Sequence, residues 1–469
     1  MMTLSARSLA SKLGEWRDDG AAYRGLADRI RLQILDGRIA VGTRLPAERE
    51  LAAALDVSRT TVAAAYATLR DRGAIESIRG SGSVARLPRG PVPVPDPVTG
   101  MLDLSKASLP AIPELIDAAR VAADRLGAHL GGHGFDLVGL PEVRQAIADR
   151  YAARGLPTDA DQIMVTVGAQ HAMSLLFRTL LQRGDRVVME NPTYPHAMDA
   201  VLAAGGRLLP VGVDSDHGWD DAALEQAFTR GNPTMAYLMP ENHNPVGVTM
   251  PAEQLERILG IAAITGTTVV IDESISELGI DLPSRVPAAA LGRAVLLGSV
   301  GKTVWGGVRV GWIRAEPSLI ETLVRARSAN DLGTAALDQL VVAALLPDFD
   351  RILADRRAFL RTGRDHVVAE LRRRFPEWSV PMPAGGIAVW VGLGSAASSQ
   401  LAIAARANGL MITAGPRFAA DGAFERFIRV PFCLPIEQID PALDVLQRSW
   451  ASLQRGGARA PMMELAAVV

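Results

Sequence analysis

The sequence predicts a multidomain protein. An N-terminal winged helix-turn-helix head of α+β type is joined to a much larger α/β body, which ends in a small C-terminal αβ subdomain. Three observations lead there. The chain has 469 residues, too many for one ordinary core, and at 48% hydrophobic and 21% charged it has a globular composition. Its charge is uneven: residues 1–90 carry fourteen arginines and Lys12 against ten acids, a net of +5, which leaves −7 for the rest of a chain whose total is −2. Near Met101 the pattern changes from helical periodicity to strands alternating with helices.

Composition also excludes. With Cys433 as the single cysteine there is no internal disulfide framework or cysteine metal cluster, and no metal is expected. No apolar run reaches membrane-spanning length without charge or proline, and the start has no signal-peptide apolar region. A cytoplasmic protein with no membrane partner is the expectation.

In the head, helical periodicity begins near Tyr23 and runs through Leu26, Ile30 and Ile34, ending at Asp36-Gly37. Leu45 to Leu55 reads as a short helix opened by Pro46, with Leu51 and Leu55 on one face. Asp56-Val57 makes a tight turn. Ser58 then caps a second helix, Arg59 to Leu69, which buries Val62, Tyr66 and Leu69 and leaves Arg59, Thr60 and Thr61 at its exposed start. In helix-turn-helix geometry that start enters the major groove. A hairpin follows, Ala74–Ile78 and Ser83-Val84, with Arg79 and Gly80 at its glycine-rich tip. The +5 balance points to nucleic acid at this end only. Residues 1–86 are assigned to the head. Residues 87–100, proline at nearly every second position, form either an extended spacer or an ordered arm along the next domain.

The body spans residues 101–455, with 456–469 as a tail. Its organising stretch runs from Leu296 to Trp312: an apolar strand, then Ser299, Lys302, a run of glycines and Arg309. Only Lys12, Lys106 and Lys302 are lysines among the 49 basic residues. Arginine cannot form a Schiff base or lose its proton near neutral pH, and lysine can do both where its surroundings allow. Ser299 and Arg309 suit a phosphate. Gln162–Val167 is a buried strand that turns through Gly168-Ala169-Gln170 into an apolar helix, offering backbone N–H groups to an anion. Tyr194 sits in the turn Asn191-Pro192-Thr193-Tyr194-Pro195. The strand Thr268–Ile271 ends in Asp272 and Glu273, and either carboxylate could hold a heteroaromatic nitrogen protonated. The strand around Phe427 carries Arg426 and Arg429.

Residues Leu45 to Val84 resemble the GntR family of winged-helix regulators. That resemblance implies that Arg49, Ser58, Arg59, Thr60, Thr61, Arg79 and Gly80 face double-stranded DNA; some members carry a further basic residue where this chain has Ala63. Residues 101–455 resemble fold-type-I, pyridoxal-phosphate-dependent aminotransferases through the order and spacing of their motifs. The resemblance implies pyridoxal 5'-phosphate as cofactor, with an aldimine at Lys302 and the phosphate on Gly168, Ala169, Gln170, Ser299 and Arg309. It also implies Tyr194 stacked on the ring, Asn244 of Asn244-Pro245-Val246-Gly247 on the phenolic oxygen, Asp272 on the ring nitrogen and Arg429 on a substrate carboxylate. Together, the halves resemble the MocR subfamily of GntR regulators, which implies a homodimer that senses an amine, an amino acid or a B6 vitamer. Two departures matter. Where many relatives have a tyrosine after the strand-end acid, this chain has Ser274 and Ile275. Where a tyrosine reaches the neighbouring subunit's phosphate, it has Phe135. Binding groups are kept while two tuning groups are missing, which favours a sensor over an efficient catalyst. The alternative is an active aminotransferase with a fused DNA-binding head.

Overall fold

The computed structural model describes residues 3–14, 16, 21–35, 38–78, 82–86, 100–282 and 286–455. Arg79 and Gly80, the linker through residue 99 and the tail lie outside them.

The head holds α1 (Ala6–Leu13), α2 (Ala22–Leu35), α3 (Glu48–Leu55) and α4 (Arg59–Asp71), then the antiparallel pair β1 (Ile75–Ile78) and β2 (Gly82–Ala85). Ser58 caps α4 by accepting from the Thr61 amide at 3.1 Å. Leu26, Ile30, Ile34, Leu51, Val62, Tyr66 and Leu69 meet in one core. Two details differ from the expectation. Pro46 lies ahead of α3, whose N-cap is Ala47, and its carbonyl takes the buried Tyr66 hydroxyl at 2.9 Å, tying α4 to the segment that leads into α3. And α1 was not foreseen, because only Leu9 and Leu13 of its eight residues are buried, too few for a periodic signal.

The body opens with α5 (Leu115–Leu126) and α6 (Pro141–Ala153). Strands and helices then alternate: β3 (Ile163–Thr166), α7 (Ala169–Leu180), β4 (Arg186–Asn191), α8 (Pro195–Ala203), β5 (Arg207–Asp214), β6 (Gly218–Trp219), α9 (Asp221–Thr229), β7 (Met235–Leu238), α10 (Ala252–Thr265), β8 (Thr268–Asp272), β9 (Val295–Ser299) and β10 (Gly311–Arg314). They form one eight-stranded sheet of order β3-β10-β9-β8-β7-β4-β5-β6. The β9, β8, β7, β4 and β5 neighbours are parallel, and β10 runs antiparallel between β3 and β9. The central strands are apolar on both faces, each face covered by its own core. Six strands, β3, β4, β5, β7, β8 and β9, therefore end at one edge of the sheet, and the segment after each of them except β5 carries a motif of the sequence. That edge is where α/β sheets bind ligands.

Helices α11 (Pro317–Arg327), α12 (Ala336–Leu345) and the long α13 (Phe349–Arg374) lead to the small subdomain. There β11 (Ala388–Gly392), β12 (Thr413–Ala414) and β13 (Phe427–Pro431) form a sheet of order β11-β13-β12, packed by α14 (Ser398–Ala407) and α15 (Ile436–Gln454). The head rests on this subdomain, α2 against α14. Buried Arg29 reaches out of α2 to Ser399 Oγ (2.6 Å), Glu425 Oε1 (2.7 Å) and the Gly422 carbonyl (2.6 Å). Gly14 approaches Gly422 so closely that a Cβ would lie 2.2 Å from its oxygen.

Candidate functional site

The phosphate-suited groups converge by strand register. Ser299 ends β9 opposite Gly311 of β10, and Gly311 lies against Gly168. Gly168 has φ +82° and N-caps α7, and a Cβ there would stand 2.7 Å from Arg309 Nη2, so only glycine leaves room for that guanidinium. Ala169 and Gln170 open α7, whose free amides face the same place. Arg309 donates to the Gly306 and Val167 carbonyls at 3.0 and 3.2 Å, and Ser299 Oγ accepts from the Gly301 amide at 3.1 Å.

Lys302, Tyr194, Asn244 and Arg429 line one cleft of about 530 Å³. Lys302 donates from Nζ to the Ala107 carbonyl at 2.5 Å, and burial holds its pKa below the ordinary lysine range. A desolvated lysine that makes no ion pair among the described residues is suited to react as a free amine. Burial likewise pushes the Tyr194 hydroxyl up to about 12. Arg429 is buried, donates to the Ser105 carbonyl (2.5 Å) and Asn244 Oδ1 (3.4 Å), and lies 5.1 Å over the Phe418 ring. Its Nε has no partner among the described residues, and burial lowers its pKa to about 10. An anion would satisfy that donor.

The two ambiguous pairs separate by strand alternation and depth. Asp272 is buried, accepts from the Tyr237 hydroxyl at 2.6 Å and the Ser274 amide at 2.8 Å, and acts electrostatically on Lys302 and Tyr194. Glu273 points to the opposite face, where it takes the Tyr151 hydroxyl at 2.8 Å and burial raises it to about 7. Arg426 is exposed and spends Nη1 on the Gly394 carbonyl, away from the cleft. Tyr237, Ser105 and Ala107 were not legible beforehand: one is an ordinary strand tyrosine, and the other two act through backbone oxygens. Ser274 donates its amide to Asp272, Ile275 is buried, and Phe135 is exposed, stacked on His133 at 5.8 Å.

On the head, Arg49, Ser58, Arg59 and Thr60 are exposed and Thr61 is half-buried. Ser58 Oγ also meets the Thr60 and Thr61 hydroxyls at 2.7 and 2.8 Å, so the cap orients the residues at the start of α4. Arg59 Nε lies 3.7 Å from Glu48 and is otherwise open to solvent.

The family model of aminotransferase class I and II matches residues 104–446, and that of the bacterial regulatory proteins of the gntR family matches residues 22–84. The probable rhizopine catabolism regulatory protein MocR of Rhizobium meliloti is 31% identical over 77% of this chain and 79% of its own. The chain is a MocR-type regulator of the GntR family. The vitamin B6 salvage pathway transcriptional repressor PtsJ of Salmonella typhimurium is 29% identical over 85% of this chain and 92% of its own. Among solved structures, the α-aminoadipate aminotransferase LysN of Thermus thermophilus, complexed with N-(5'-phosphopyridoxyl)-L-leucine, is 27% identical. It covers 76% of this chain and 94% of its own, with a TM-score of 0.71. The cofactor of this MocR-type body is pyridoxal 5'-phosphate, and the residues present fit that group: an amine in Lys302 on the cleft wall and, outside the cleft lining, the buried carboxylate of Asp272 and a glycine-lined anion cradle beside Arg309. Among the described residues no helix is long and apolar enough to cross a membrane, and no cluster of three or more metal-binding side chains occurs.

Proposed function

We propose that this DNA-binding regulator senses an amine, an amino acid or a B6 vitamer in the cleft around Lys302 and passes the result to its head. One observation carries the reading: Lys302, Tyr194 and Asn244, suited to the cofactor, and Arg429, suited to a carboxylate, share a cleft whose wall includes Leu32 of the head. When bound, the cofactor supplies an aldehyde that amines exchange onto and a ring that accepts electrons. Lys302 Nζ would hold it, Gly168, Ala169, Gln170, Ser299 and Arg309 would take its phosphate, and Tyr194 would cover its ring. Asn244 would serve its phenolic oxygen, Asp272 would hold the ring-nitrogen proton, and Arg429 would take the ligand carboxylate. LysN, solved with a phosphopyridoxyl amino acid, supports the cleft's chemistry, and the B6 repressor PtsJ supports the class of signal.

The head comprises residues 1–86, the linker 87–100, the body 101–455 and the tail 456–469. Arg49, Ser58, Arg59, Thr60 and Thr61 face DNA, and the same role is proposed for Arg79 and Gly80, which lie outside the described residues. The protein is a cytoplasmic homodimer. Leu130, Phe135, Trp305, Leu332 and Leu337 are all exposed on the body, and Phe135 and Leu332 flank the bridged pair Asp136 and Gly333. The exposed apolar pair Phe135 and Leu332 beside that bridge supports burial against a second copy. The absence of a hydroxyl at Ile275 and Phe135 argues against efficient transamination. Borohydride reduction of the coloured protein followed by peptide mapping tests the reading: the label is expected on Lys302, and label on Lys106 instead would overturn it.

A further inference from the structure

The charged groups lining the cleft exceed what the cofactor and an α-carboxylate use. All of them are cationic: Lys106, Lys302, Arg406, Arg417 and Arg429, with His196 beside them and no aspartate or glutamate. Lys302 is committed to the cofactor, Arg429 to a carboxylate, and exposed Lys106 pairs with Asp103 at 3.2 Å. Arg406 and Arg417 are left. Arg406 is half-buried on α14 and has no carboxylate partner among the described residues. Arg417 holds Asp199 through Nη2 at 2.9 Å, but its Nη1 is buried without a hydrogen-bond partner among the described residues. Desolvating such a donor and leaving it unpaired is costly, so an acceptor belongs there.

From this we infer that the effector is an α-amino acid bearing a second anionic group on its side chain, and that Arg417 with Arg406 binds that group at the mouth of the cleft. The inference rests on the amino-acid-sensing reading above and names its ligand class. Head and site meet at this point. Leu32 of α2 packs on Ala402 and Ala414 and lines the same mouth. Arg38 of the head donates to the carbonyls of Pro416 (2.7 Å), Arg417 (2.6 Å) and Ala419 (3.2 Å). A ligand that draws on the Arg417 side chain therefore acts on the segment that seats the head, and it shifts the head only to the extent that it binds one seating better than another.

The test uses full-length protein loaded with cofactor. L-glutamate, L-2-aminoadipate and O-phospho-L-serine are titrated against the neutral L-norvaline and L-norleucine, following both the visible band and the heat of binding. The anionic ligands should bind at least about tenfold more tightly, the equivalent of one charge-assisted hydrogen bond pair. Preference for the phosphorylated ligand would identify the second group as a phosphate, and preference for the dicarboxylates as a carboxylate; either supports the site. Arg406→Ala and Arg417→Gln should each reduce the preference to a few-fold while leaving norvaline binding unchanged, and Arg417→Lys should retain part of it. Equal binding of neutral and anionic ligands by the wild type, or a preference that survives both variants, would overturn the inference while leaving amino-acid sensing intact. No response to any of the five amino acids would overturn the inference together with the amino-acid form of the parent reading.

Discussion

In the head, Arg49, Ser58, Arg59 and Thr60 stand in solvent within one short stretch of chain. In the body, Lys302, Asp272, Tyr194 and Arg429 come from segments far apart in sequence and are buried or partly so. The two halves use charge under opposite conditions. The head's arginines act through water, where attraction to phosphate is long in reach and screened by salt. The body's groups act out of water, where burial shifts their protonation, down for Lys302 and Arg429 and up for Tyr194. The head should accordingly respond to ionic strength and the body to pH.

The largest expected effect lies in the body. Lys302→Ala should abolish the visible band of the bound cofactor and the response to ligand, because no other described lysine lines the cleft except the exposed Lys106. DNA affinity without ligand should stay within a few-fold of wild type, measured by gel shift at two salt concentrations. If DNA binding collapsed together with the band, the two halves would not be separable in this way.

Among the described residues, the seam is the one place where the head fully buries a charge, and it behaves as the body does. Arg29 is fully buried, and its partner Glu425 also accepts from Ser398 Oγ (2.8 Å), the Ser399 amide (3.0 Å) and Ser399 Oγ (2.5 Å). Arg29→Ala leaves that carboxylate without its cation, which typically costs about 3–5 kcal/mol. The loss should appear as faster hydrogen exchange in α2 and α14, with the core strands β7 and β8 unaffected. Equal acceleration in those strands would mean that head and body unfold as one unit.

The same contrast governs what the sequence disclosed. The helix-turn-helix is local: capping by Ser58, the turn at Asp56 and the spacing of Val62, Tyr66 and Leu69 are all contained in a few consecutive turns. The cleft was legible as a list of segments, because each strand end carries its own motif, and parallel strands bring their ends to one edge. The partners across that edge were not. Nothing near Asp272 in sequence announces Tyr237, and nothing near Arg429 announces the Ser105 carbonyl. The choice of Asp272 over Glu273, and of Arg429 over Arg426, needed the strand faces. The docking of the head was illegible for the same reason, since Arg29 is one arginine among 46 until Glu425 is seen beside it.

A smaller effect belongs to the exposed side of the comparison. Arg59 has only a 3.7 Å contact with Glu48 to lose. Arg59→Ala should leave the melting temperature unchanged and weaken operator binding by about 1–3 kcal/mol if Arg59 reads a base, with relaxed preference at that position. A loss equal on all sequences, with a shallower salt dependence, would assign it to phosphate instead.

The smallest effect tests whether pH sensitivity resides in the buried half. Glu190, at the end of β4, is fully buried; its Oε1 accepts from the Met239 amide at 2.8 Å, and its Oε2 lies 3.9 Å from His243 Nε2. Trp219, Tyr237 and Asp272 also face this cluster. Burial raises Glu190 from 4.5 to about 8 and lowers His243 from 6.5 to about 3. The signs follow from proton counts. Between about pH 4.5 and 8 the folded chain keeps a proton on Glu190 that the unfolded chain has released, so stability from this group falls as pH rises. Between about pH 3 and 6.5 the unfolded chain binds a proton on His243 that the folded chain refuses, so stability from that group rises with pH. The two oppose each other up to about pH 6.5; above it the decline from Glu190 is no longer offset, and Glu273, raised to about 7, adds to the early part. Glu190→Gln keeps a neutral side chain of the same shape and removes the titration. Denaturant melts of wild type between pH 6.5 and 8 should lose about 1–2 kcal/mol that the variant retains, whereas Arg59→Ala should follow the wild-type curve. If Glu190→Gln follows it too, Glu190 is already ionised in the folded protein, and the pH response must come from Glu273 or from the cleft itself.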